Sequence, residues 1–531
     1  MANRLAEIVA AFSDPSFFGS TAGPVAVVQT HISWVFLLER EVYKLKKPVR
    51  FAFLDFRDLE RRRHFCREEV RLNRRLAADV YLGVVGIRPT ADGFELVDED
   101  AEGICEVAVH MRRLPESSML PELLDRGAVD DALIARLVAR LVAFHAEADD
   151  GPEVRAAGDP ERVLAQMEND FAETSRFHGK TIAADDDAHL QSFCRREIAR
   201  RADLLRARCR QGRVRDGHGD LHAEHVCVRS EADGGLAIFD CIEFEPEFRR
   251  RDVAGEIAFL AMDFEFRGHP GLAAKLVAEY ASQADDERLP ELIPLFACHR
   301  AYIRGKVDSL KSEEDEVESR ERAAAARSAR RHFALARRYT WRARPVLVVV
   351  GGLSGTGKSS LARELADRTG WSHHSSDRIR KEIAGIEATS RVGAGDEAGL
   401  YSRDMHARTY DELHHRARVD LQEGHGAILD ATFLRRRDRE RAAKDAERMG
   451  ALYVFVECVA PEAITVERLR ARAAADDDPS DADEAVFRRQ CEMYERPDAN
   501  ESLTAIRADM SLALERVSRI VENKLAGRLR R

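Results

Sequence analysis

The pattern of hydrophobic and polar positions changes once along the chain, near residue 340. Before that point, short segments of strand-like alternation come first and long segments with helical spacing follow. After it, apolar runs alternate with helical segments, beginning at Val346. The change predicts two domains, 1–340 and 341–531. The first is an α+β unit, and the second is an α/β unit with a parallel sheet between helices.

The apolar run that starts at Val346 leads into the pattern Gly352-x-x-x-x-Gly357-Lys358-Ser359. It predicts a buried strand, a phosphate-binding loop and the start of a helix, because glycines let backbone N–H groups approach phosphate oxygens. ATP and Mg²⁺ are the expected cofactors, with Lys358 at the β and γ phosphates and the Ser359 hydroxyl on the metal. The residues predicted to bind the nucleotide here are Gly352, Ser354, Gly355, Thr356, Gly357, Lys358, Ser359 and Ser360.

Two later segments supplement this site. The short apolar strand AILD ends in Asp430, and a carboxylate at that position lies beside Ser359 and Mg²⁺ in phosphate-loop proteins. After the strand LYVFVECV, Arg468 and Arg472 stand one helical turn apart. They share a helix face. Either both point at ATP, or both belong to a charged surface of the helix.

Candidate phosphate-binding side chains also occur in the first half. Strands are predicted at 25–28, 34–39 and 41–46, and Lys44 and Lys46 alternate onto one face of the third. A charged helix is predicted over 58–76, where Glu68 or Glu69 can pair with one of the lysines. Which lysine and which glutamate form the pair is open at this stage. Further along, three aspartates at 185–187 predict a loop.

A polar segment, HGDLHAEH from His218 to His225, precedes an apolar strand, a Gly-Gly turn and a second strand that ends at Asp240. The hairpin brings two carboxylates together, so that Asp220 can accept a proton from a hydroxyl while Asp240 binds Mg²⁺. A zinc site built on His222 and His225 lacks a third ligand at a suitable sequence spacing.

HGDLHAEH followed by IFD resembles the catalytic and metal-binding loops of the aminoglycoside phosphotransferase family, relatives of the protein kinases. The resemblance implies a bilobal protein-kinase-like fold with Asp220 as catalytic base and Asp240 as magnesium ligand. It also implies that Lys44, or Lys46, is the strand lysine and that Glu69 is its helix partner. Two departures stand out: His225 replaces the family's asparagine metal ligand, and the first hairpin lacks a glycine-rich nucleotide loop.

The second half resembles small-molecule P-loop kinases such as gluconate kinases and the zeta-toxin-like group. That resemblance implies that Asp377 and Arg380 face the acceptor substrate, the one to orient or deprotonate a hydroxyl and the other to hold an anionic group. Alternatively, Ser376 or Asp377 only caps the helix that follows. The acidic segment after Arg472 resembles the lid of such kinases. The whole layout is similar to a bacterial fusion family of kinases.

Composition limits the classes of binding partner and the cellular location that are expected. The 84 basic and 94 acidic residues nearly balance at a net charge of −10, which favours neither nucleic acid nor an anionic membrane. The cysteines are scattered without a C-x-x-C pair, as is typical of reduced thiols in a cytoplasm. The N-terminal stretch contains no apolar run long enough for a signal peptide or membrane span, and a cytoplasmic location is expected.

Together these features predict an ATP- and Mg²⁺-dependent enzyme that moves a γ-phosphoryl group to a hydroxyl of a small polar metabolite or antibiotic-like molecule. In this interpretation the chain carries two kinase-like sites. In the alternative, a P-loop kinase is regulated by a degenerate first domain that senses a ligand, as His225 and the absent glycine loop suggest. The acceptor and the oligomeric state are not determined by the sequence.

Overall fold

The computed structural model divides the chain into two compact units, Met1–Ala336 and Arg337–Arg531. The sequence placed this boundary at 340/341, and the division falls inside one long helix, Ser319–Tyr339. The residues that the structure describes are 2–19, 23–51, 54–314, 317–342, 345–387, 400, 402–473, 482–498, 501 and 505–529.

The first unit contains short strands in its N-terminal part and around the polar segment near residue 220. These are β1 Ala26–Gln29, β2 Ser33–Leu37, β3 Glu41–Lys46, β4 Arg50–Phe51, β5 Leu54–Asp55, β6 Tyr81–Thr90, β7 Gly93–Asp98, β8 Glu106–Arg112, β9 Val214–Asp216, β10 Val226–Val228, β11 Leu236–Ile238 and β12 Arg250–Asp252.

Helices make up most of the rest of this unit. They are α1 Ala2–Ser13, α2 Leu59–Ala77, α3 Leu120–Asp125, α4 Asp131–Glu147, α5 Pro152–Ala157, α6 Pro160–Thr174, α7 Ala184–Arg200, α8 Ala202–Arg210, α9 Pro246–Arg249, α10 Val253–Phe266, α11 Pro270–Gln283, α12 Ile293–Ser312 and α13 Ser319–Tyr339.

Within the described residues, the main sheet of the first unit has the strand order β1-β2-β3-β8-β6-β7, and every neighbouring pair is antiparallel. Helix α2 begins at the cap residue Asp58, whose carboxylate accepts the N–H groups of Glu60 and Arg61. Its buried face, including Cys66 and Val70, packs with apolar residues of the sheet. This packing directs other side chains of α2 toward β3, which positions the ionic cluster described below.

The expectation of a loop at residues 185–187 was wrong, because the three aspartates form the first turn of α7. Acidic side chains stabilise the N-terminal end of a helix, where unpaired N–H groups give a partial positive charge. A run of aspartates is therefore compatible with a helix start as well as with a loop.

The second unit contains β13 Val346–Gly351, β14 Ser372–Ser375, β15 Ala427–Asp430, β16 Leu452–Val459 and β17 Ile506–Asp509. Its helices are α14 Lys358–Thr369, α15 Ser376–Ala384, α16 Arg403–Gln422, α17 Arg436–Arg448, α18 Glu462–Ala473, α19 Glu484–Met493 and α20 Leu514–Leu529. The glycine-rich segment at residues 386–400 lies almost wholly outside the described residues, as does the first part of the predicted lid.

The strands of the second unit form a parallel sheet in the order β14-β15-β13-β16-β17. Strand β13 is central and buried at every position. Its alternate residues enter two separate cores, Val346, Val348 and Val350 on one face and Leu347 and Val349 on the other. The prediction of a parallel sheet between helices is confirmed for this unit. Strand β17 was not anticipated, since IRAD is short and half polar.

No helix among the described residues is both long enough and apolar enough to cross a lipid bilayer.

Candidate functional sites

The loop after β13 has the backbone of a phosphate-binding loop. Gly352, Gly355 and Gly357 adopt φ angles of 146°, 79° and 92°, and helix α14 begins at Lys358. A Cβ atom on Gly352 would stand 2.5 Å from the carbonyl oxygen of Cys458. Glycine is therefore required at this position both by conformation and by space. Because β13 is the central strand, the loop opens at the carboxyl edge of the sheet, where α/β proteins bind ligands.

Two oxygen ligands for a divalent cation meet beside this loop. The Ser359 hydroxyl lies 3.2 Å from Oδ1 of Asp430, which ends the neighbouring strand β15 and is 2% exposed. On its other side, Oδ2 of Asp430 lies 3.1 Å from Nε2 of His373. Sequence reasoning missed His373, because only the pairing of β14 with β15 brings it to the aspartate. A hydroxyl and a carboxylate match the oxygen preference of Mg²⁺, so the residues present fit this metal.

Other side chains surround the loop. Gln490 of α19 accepts the Ser354 N–H at 2.8 Å through its amide oxygen, a contact that no sequence motif signalled. Arg468 donates to the carbonyl oxygens of Thr356, at 3.4 Å, and Met510, at 2.8 Å, and so contacts the loop backbone. Arg472 belongs to α18, but its side chain lies outside the described residues.

Asp377 and Arg380, which were expected to face an acceptor, are hydrogen-bonded to each other. Asp377 lies in the first turn of α15, and its Oδ1 accepts a hydrogen bond from Arg380 at 2.8 Å. The cap residue of this helix is Ser375, which makes no capping hydrogen bond with its side chain. The alternative that Ser376 or Asp377 serves as the cap residue is therefore wrong, since both lie inside the helix.

In the first unit, two lysines of β3 share one carboxylate of α2. Nζ of Lys44 lies 2.9 Å from Oε1 of Glu69, and Nζ of Lys46 lies 2.6 Å from Oε2 of the same residue. Lys44 also contacts Oδ1 of Asp240 at 2.8 Å, whereas Lys46 contacts Glu243 at 2.5 Å.

The two alternatives left open by the sequence thus differ in geometry. Lys44 joins the Glu69 carboxylate to Asp240, which lies just after the end of β11, whereas Lys46 is fully buried. Glu68 points away from both lysines and pairs with Arg71. Only tertiary contacts distinguish these neighbours, because their sequence environments are equivalent.

The charges of this cluster stabilise one another. Burial opposes ionisation of Glu69, but Lys44 and Lys46 outweigh it and lower the pKa of this carboxyl. Burial likewise opposes the charge on Asp240, and attraction to Lys44 still holds its pKa below the usual range. Asp240 also adopts a positive φ of 61°, an unusual conformation for a residue other than glycine.

Asp220 lies close to two histidines, and one of them also contacts Asp240. Its Oδ2 is 3.5 Å from Nε2 of His222 and 3.6 Å from Nδ1 of His225. Nε2 of His225 is in turn 3.5 Å from Oδ2 of Asp240. Burial raises the pKa of Asp220, but His222 and His225 outweigh this effect and keep the pKa well below its ordinary value. Asp220 is therefore a carboxylate at neutral pH, able to accept a proton or a cation.

A buried glutamate holds the backbone that carries Asp220. Glu256 of α10 accepts the N–H groups of His218 and Gly219 and lies 3.0 Å from Nε2 of His145. A Cβ atom on Gly217 would stand 2.5 Å from the Glu256 carboxylate, which explains the glycine there. Sequence reasoning missed Glu256, because it stands within an apolar helix far along the chain.

Comparison with known proteins identifies relatives of the second unit and of most of the chain. The AAA domain family profile matches residues 347–497 of the second unit. A gluconokinase of Gluconobacter oxydans is 33% identical over 103 residues, which span 19% of this chain and 53% of that protein. The structure of a gluconokinase from Sinorhizobium meliloti aligns with 35% of this chain and 95% of its own at 21% identity and a TM-score of 0.24.

The second unit is accordingly a P-loop domain with a kinase-type fold. An uncharacterised protein of Mycobacterium tuberculosis is 30% identical to this chain over 454 residues, covering 86% of this chain and 87% of that protein. A protein of Mycobacterium bovis matches over the same length with the same identity. The chain belongs to the family of these mycobacterial proteins.

Proposed function

We propose that the protein is an ATP- and Mg²⁺-dependent phosphotransferase whose acceptor is a hydroxyl of a small molecule. The observation that carries the proposal is the arrangement at the second unit's glycine loop. There, Lys358 begins a helix, and the Ser359 hydroxyl lies 3.2 Å from Asp430. Backbone N–H groups, a helix N-terminus and a lysine together are suited to a triphosphate.

In this proposal each side chain of the second unit has a defined task. The loop N–H groups and Lys358 bind and orient the phosphates, and Ser359 and Asp430 hold Mg²⁺. Bound there, Mg²⁺ supplies neutralisation of negative charge on the phosphates. His373 positions Asp430 through its 3.1 Å contact. Asp377 orients the acceptor hydroxyl, and Arg380 holds an anionic group of the acceptor.

The proposal extends to the first unit, which we assign as an aminoglycoside-phosphotransferase-like kinase domain with a second site. Its support is the chain of contacts from Glu69 through Lys44 to Asp240, with Asp220 nearby. In this assignment Lys44 binds phosphate, Asp240 binds the metal, and Asp220 accepts the proton of the hydroxyl. The proposed domains are 1–340 and 341–531, and a cytoplasmic location is proposed with them.

The second candidate is a regulatory first unit without turnover. It is favoured by His225, an imidazole where the resembling family has an amide ligand, and by the position of Asp240, which is already ion-paired to Lys44. In this alternative, ligand binding to the first unit controls the P-loop kinase.

A screen of ATP consumption against sugars, aminoglycosides, nucleosides and hydroxy acids tests both candidates. It uses the full chain as wild type, Lys358→Ala and Asp220→Asn. Exposed residues of the same units provide the controls Arg363→Ala and Asp125→Asn. We expect Lys358→Ala to lower kcat/KM for the P-loop acceptor about 100-fold or more. Full transfer to every acceptor in Asp220→Asn would contradict the two-enzyme proposal and favour the regulatory one, whereas full activity of Lys358→Ala would contradict the assignment of the second unit.

A further inference from the structure

Three side chains between β9 and β10 form a compact set of metal-ligating groups: Asp220, His222 and His225. One ligand atom from each lies within 4.8 Å of the other two. Oδ2 of Asp220 and Nε2 of His222 are 3.5 Å apart. Two atoms that each bind a zinc ion at about 2.0–2.2 Å stand roughly 3–3.5 Å from one another. The observed separation therefore leaves room for one cation between these groups.

The protonation of His225 presents a free lone pair to this region. Nδ1 of His225 lies 2.9 Å from the backbone carbonyl oxygen of Asp220, and a carbonyl oxygen only accepts hydrogen bonds. Nδ1 therefore carries the proton, and Nε2 carries the lone pair. Histidines that bind metals generally donate their other N–H to a carbonyl or carboxylate in this way. Nε2 lies 3.5 Å from Oδ2 of Asp240, a further carboxylate beside this set of three.

A third histidine nearby shows what a purely structural role requires. Nε2 of His218 donates to the carbonyl oxygen of Phe239 at 2.9 Å, and its Nδ1 accepts the Asp220 N–H at 3.3 Å. Both nitrogens of His218 are used by the backbone, so it has no lone pair for a cation. His222 and His225 stack on each other with ring centroids 4.1 Å apart and are not held by such a pair of backbone contacts in the described structure.

We propose that the first unit binds a borderline divalent cation of the Zn²⁺ type, in preference to Mg²⁺, through Asp220, His222 and His225. Imidazole nitrogens suit zinc and its neighbours, whereas Mg²⁺ is held by oxygen. The sequence spacing of His222 and His225 indicated no third ligand, and the fold provides the missing oxygen from Asp220. A cation on Asp220 would occupy the oxygen that is proposed as a base, so Zn²⁺ would inhibit the first unit.

The test is a titration of the metal-free full chain with Zn²⁺ against a chromophoric chelator, in millimolar Mg²⁺ and without nucleotide. The variants are His225→Asn, which keeps an oxygen ligand, and His222→Ala. The control is His64→Asn, which changes an exposed histidine of α2. We expect tight binding of one zinc by the wild type and the control, and a loss of about 10–100-fold in each of the two variants. Equal zinc affinity in all four proteins would overturn the proposal, because the zinc would then lie elsewhere, for example at Asp430 and His373.

A second measurement does not depend on the folding of a variant. Co²⁺ added to the wild type in millimolar Mg²⁺ should give visible absorption bands of a nitrogen-ligated site, and one equivalent of Zn²⁺ should remove them. Absence of these bands would also overturn the proposal. The inference shares Asp220 and Asp240 with the proposed function, but its outcome is separate. If Asp220→Asn abolishes phosphoryl transfer while the wild type binds no zinc, the proposed function stands and this inference fails.

Discussion

Lys44 and Asp240 lie 196 positions apart in the chain, and their charged atoms are 2.8 Å apart in the fold. The same ammonium contacts Glu69 at 2.9 Å, so one cation joins a strand, a helix and the end of a hairpin. Lys46, two residues away on the same strand, contacts Glu69 but not this aspartate in the described structure. The two lysines should therefore differ in function, although both stabilise the unit.

Replacing each lysine by methionine separates these roles. In a Lys358→Ala background, which removes the lysine proposed to bind phosphates in the second unit, we expect Lys44→Met to weaken nucleotide binding about tenfold or more, because the charge beside Asp240 that is proposed to bind phosphate is lost. Lys46→Met should chiefly destabilise the unit, by about 3–5 kcal/mol, since the buried carboxylates of Glu69 and Glu243 lose the ammonium group that they share. Calorimetric nucleotide titration and urea unfolding measure the two effects. The reverse pattern would show that Lys46 is the phosphate lysine.

Gly352 offers a test of the phosphate loop that does not depend on the reaction. Gly352→Ala should destabilise the second unit by several kcal/mol, because the new methyl group would meet the Cys458 carbonyl at 2.5 Å and the φ of 146° is unfavourable for alanine. The matched variant is Gly527→Ala in α20, where nothing lies within 4 Å. It should leave stability unchanged or raise it by up to about 1 kcal/mol. Thermal unfolding of the two variants measures both effects. Equal stability of the two would contradict the crowding inferred at Gly352.

Gln490 accepts a hydrogen bond from the Ser354 N–H, a donor that the proposed function assigns to phosphate. Its amide oxygen accepts the Ser354 N–H at 2.8 Å, and one such hydrogen bond contributes about 1 kcal/mol. Gln490→Ala should therefore tighten binding of a non-hydrolysable ATP analogue about fivefold by removing an internal competitor. Glu492→Gln, at an exposed position of the same helix, is the control. Weaker binding in Gln490→Ala would instead mean that this side chain contacts the nucleotide.

His218 should make the first unit less stable in mild acid. Burial lowers the pKa of His218 from 6.5 to about 4. Between these values the unfolded chain binds the proton and the folded chain does not, so stability falls as pH falls, by about 1.4 kcal/mol per pH unit. From pH 7 to pH 5 this amounts to about 2 kcal/mol.

The measurement is the free energy of unfolding of the first unit, obtained from its urea-induced transition at pH 7 and at pH 5. The loss of stability from pH 7 to pH 5 should be about 2 kcal/mol smaller in His218→Asn than in the wild type. A direct check is the NMR titration of the His218 ring in the wild type. A midpoint near 6.5 would contradict the buried, neutral histidine inferred from its two backbone hydrogen bonds.

The sequence alone determined the second unit's central features. The run from Val346 to Ser359 contains a buried strand, a glycine loop and a helix start within a few residues, and each is specified by local patterning. The alternation of strands and helices then implied a parallel sheet, because parallel neighbours require long connections. Asp430 could be paired with Ser359 in advance, since Asp430 ends a strand and Ser359 follows the neighbouring one.

Tertiary structure decided what depends on side chains from distant segments. Local patterning gave Lys44 and Lys46 the same environment, and likewise Glu68 and Glu69, and only the packing of α2 on the sheet distinguishes them. His373, Gln490 and Glu256 carry no motif, and they become neighbours of the sites through strand order and helix placement.

The metal-ligating set shows the same division within one short segment. His222 and His225 are visible in the sequence, but the folded loop sets Asp220 3.5 Å from His222, and Asp240 approaches His225 from the segment just after β11. Sequence periodicity reports which side chains share a face of one element. The distance between ligand atoms depends on how several elements pack, and this is fixed only in the folded chain.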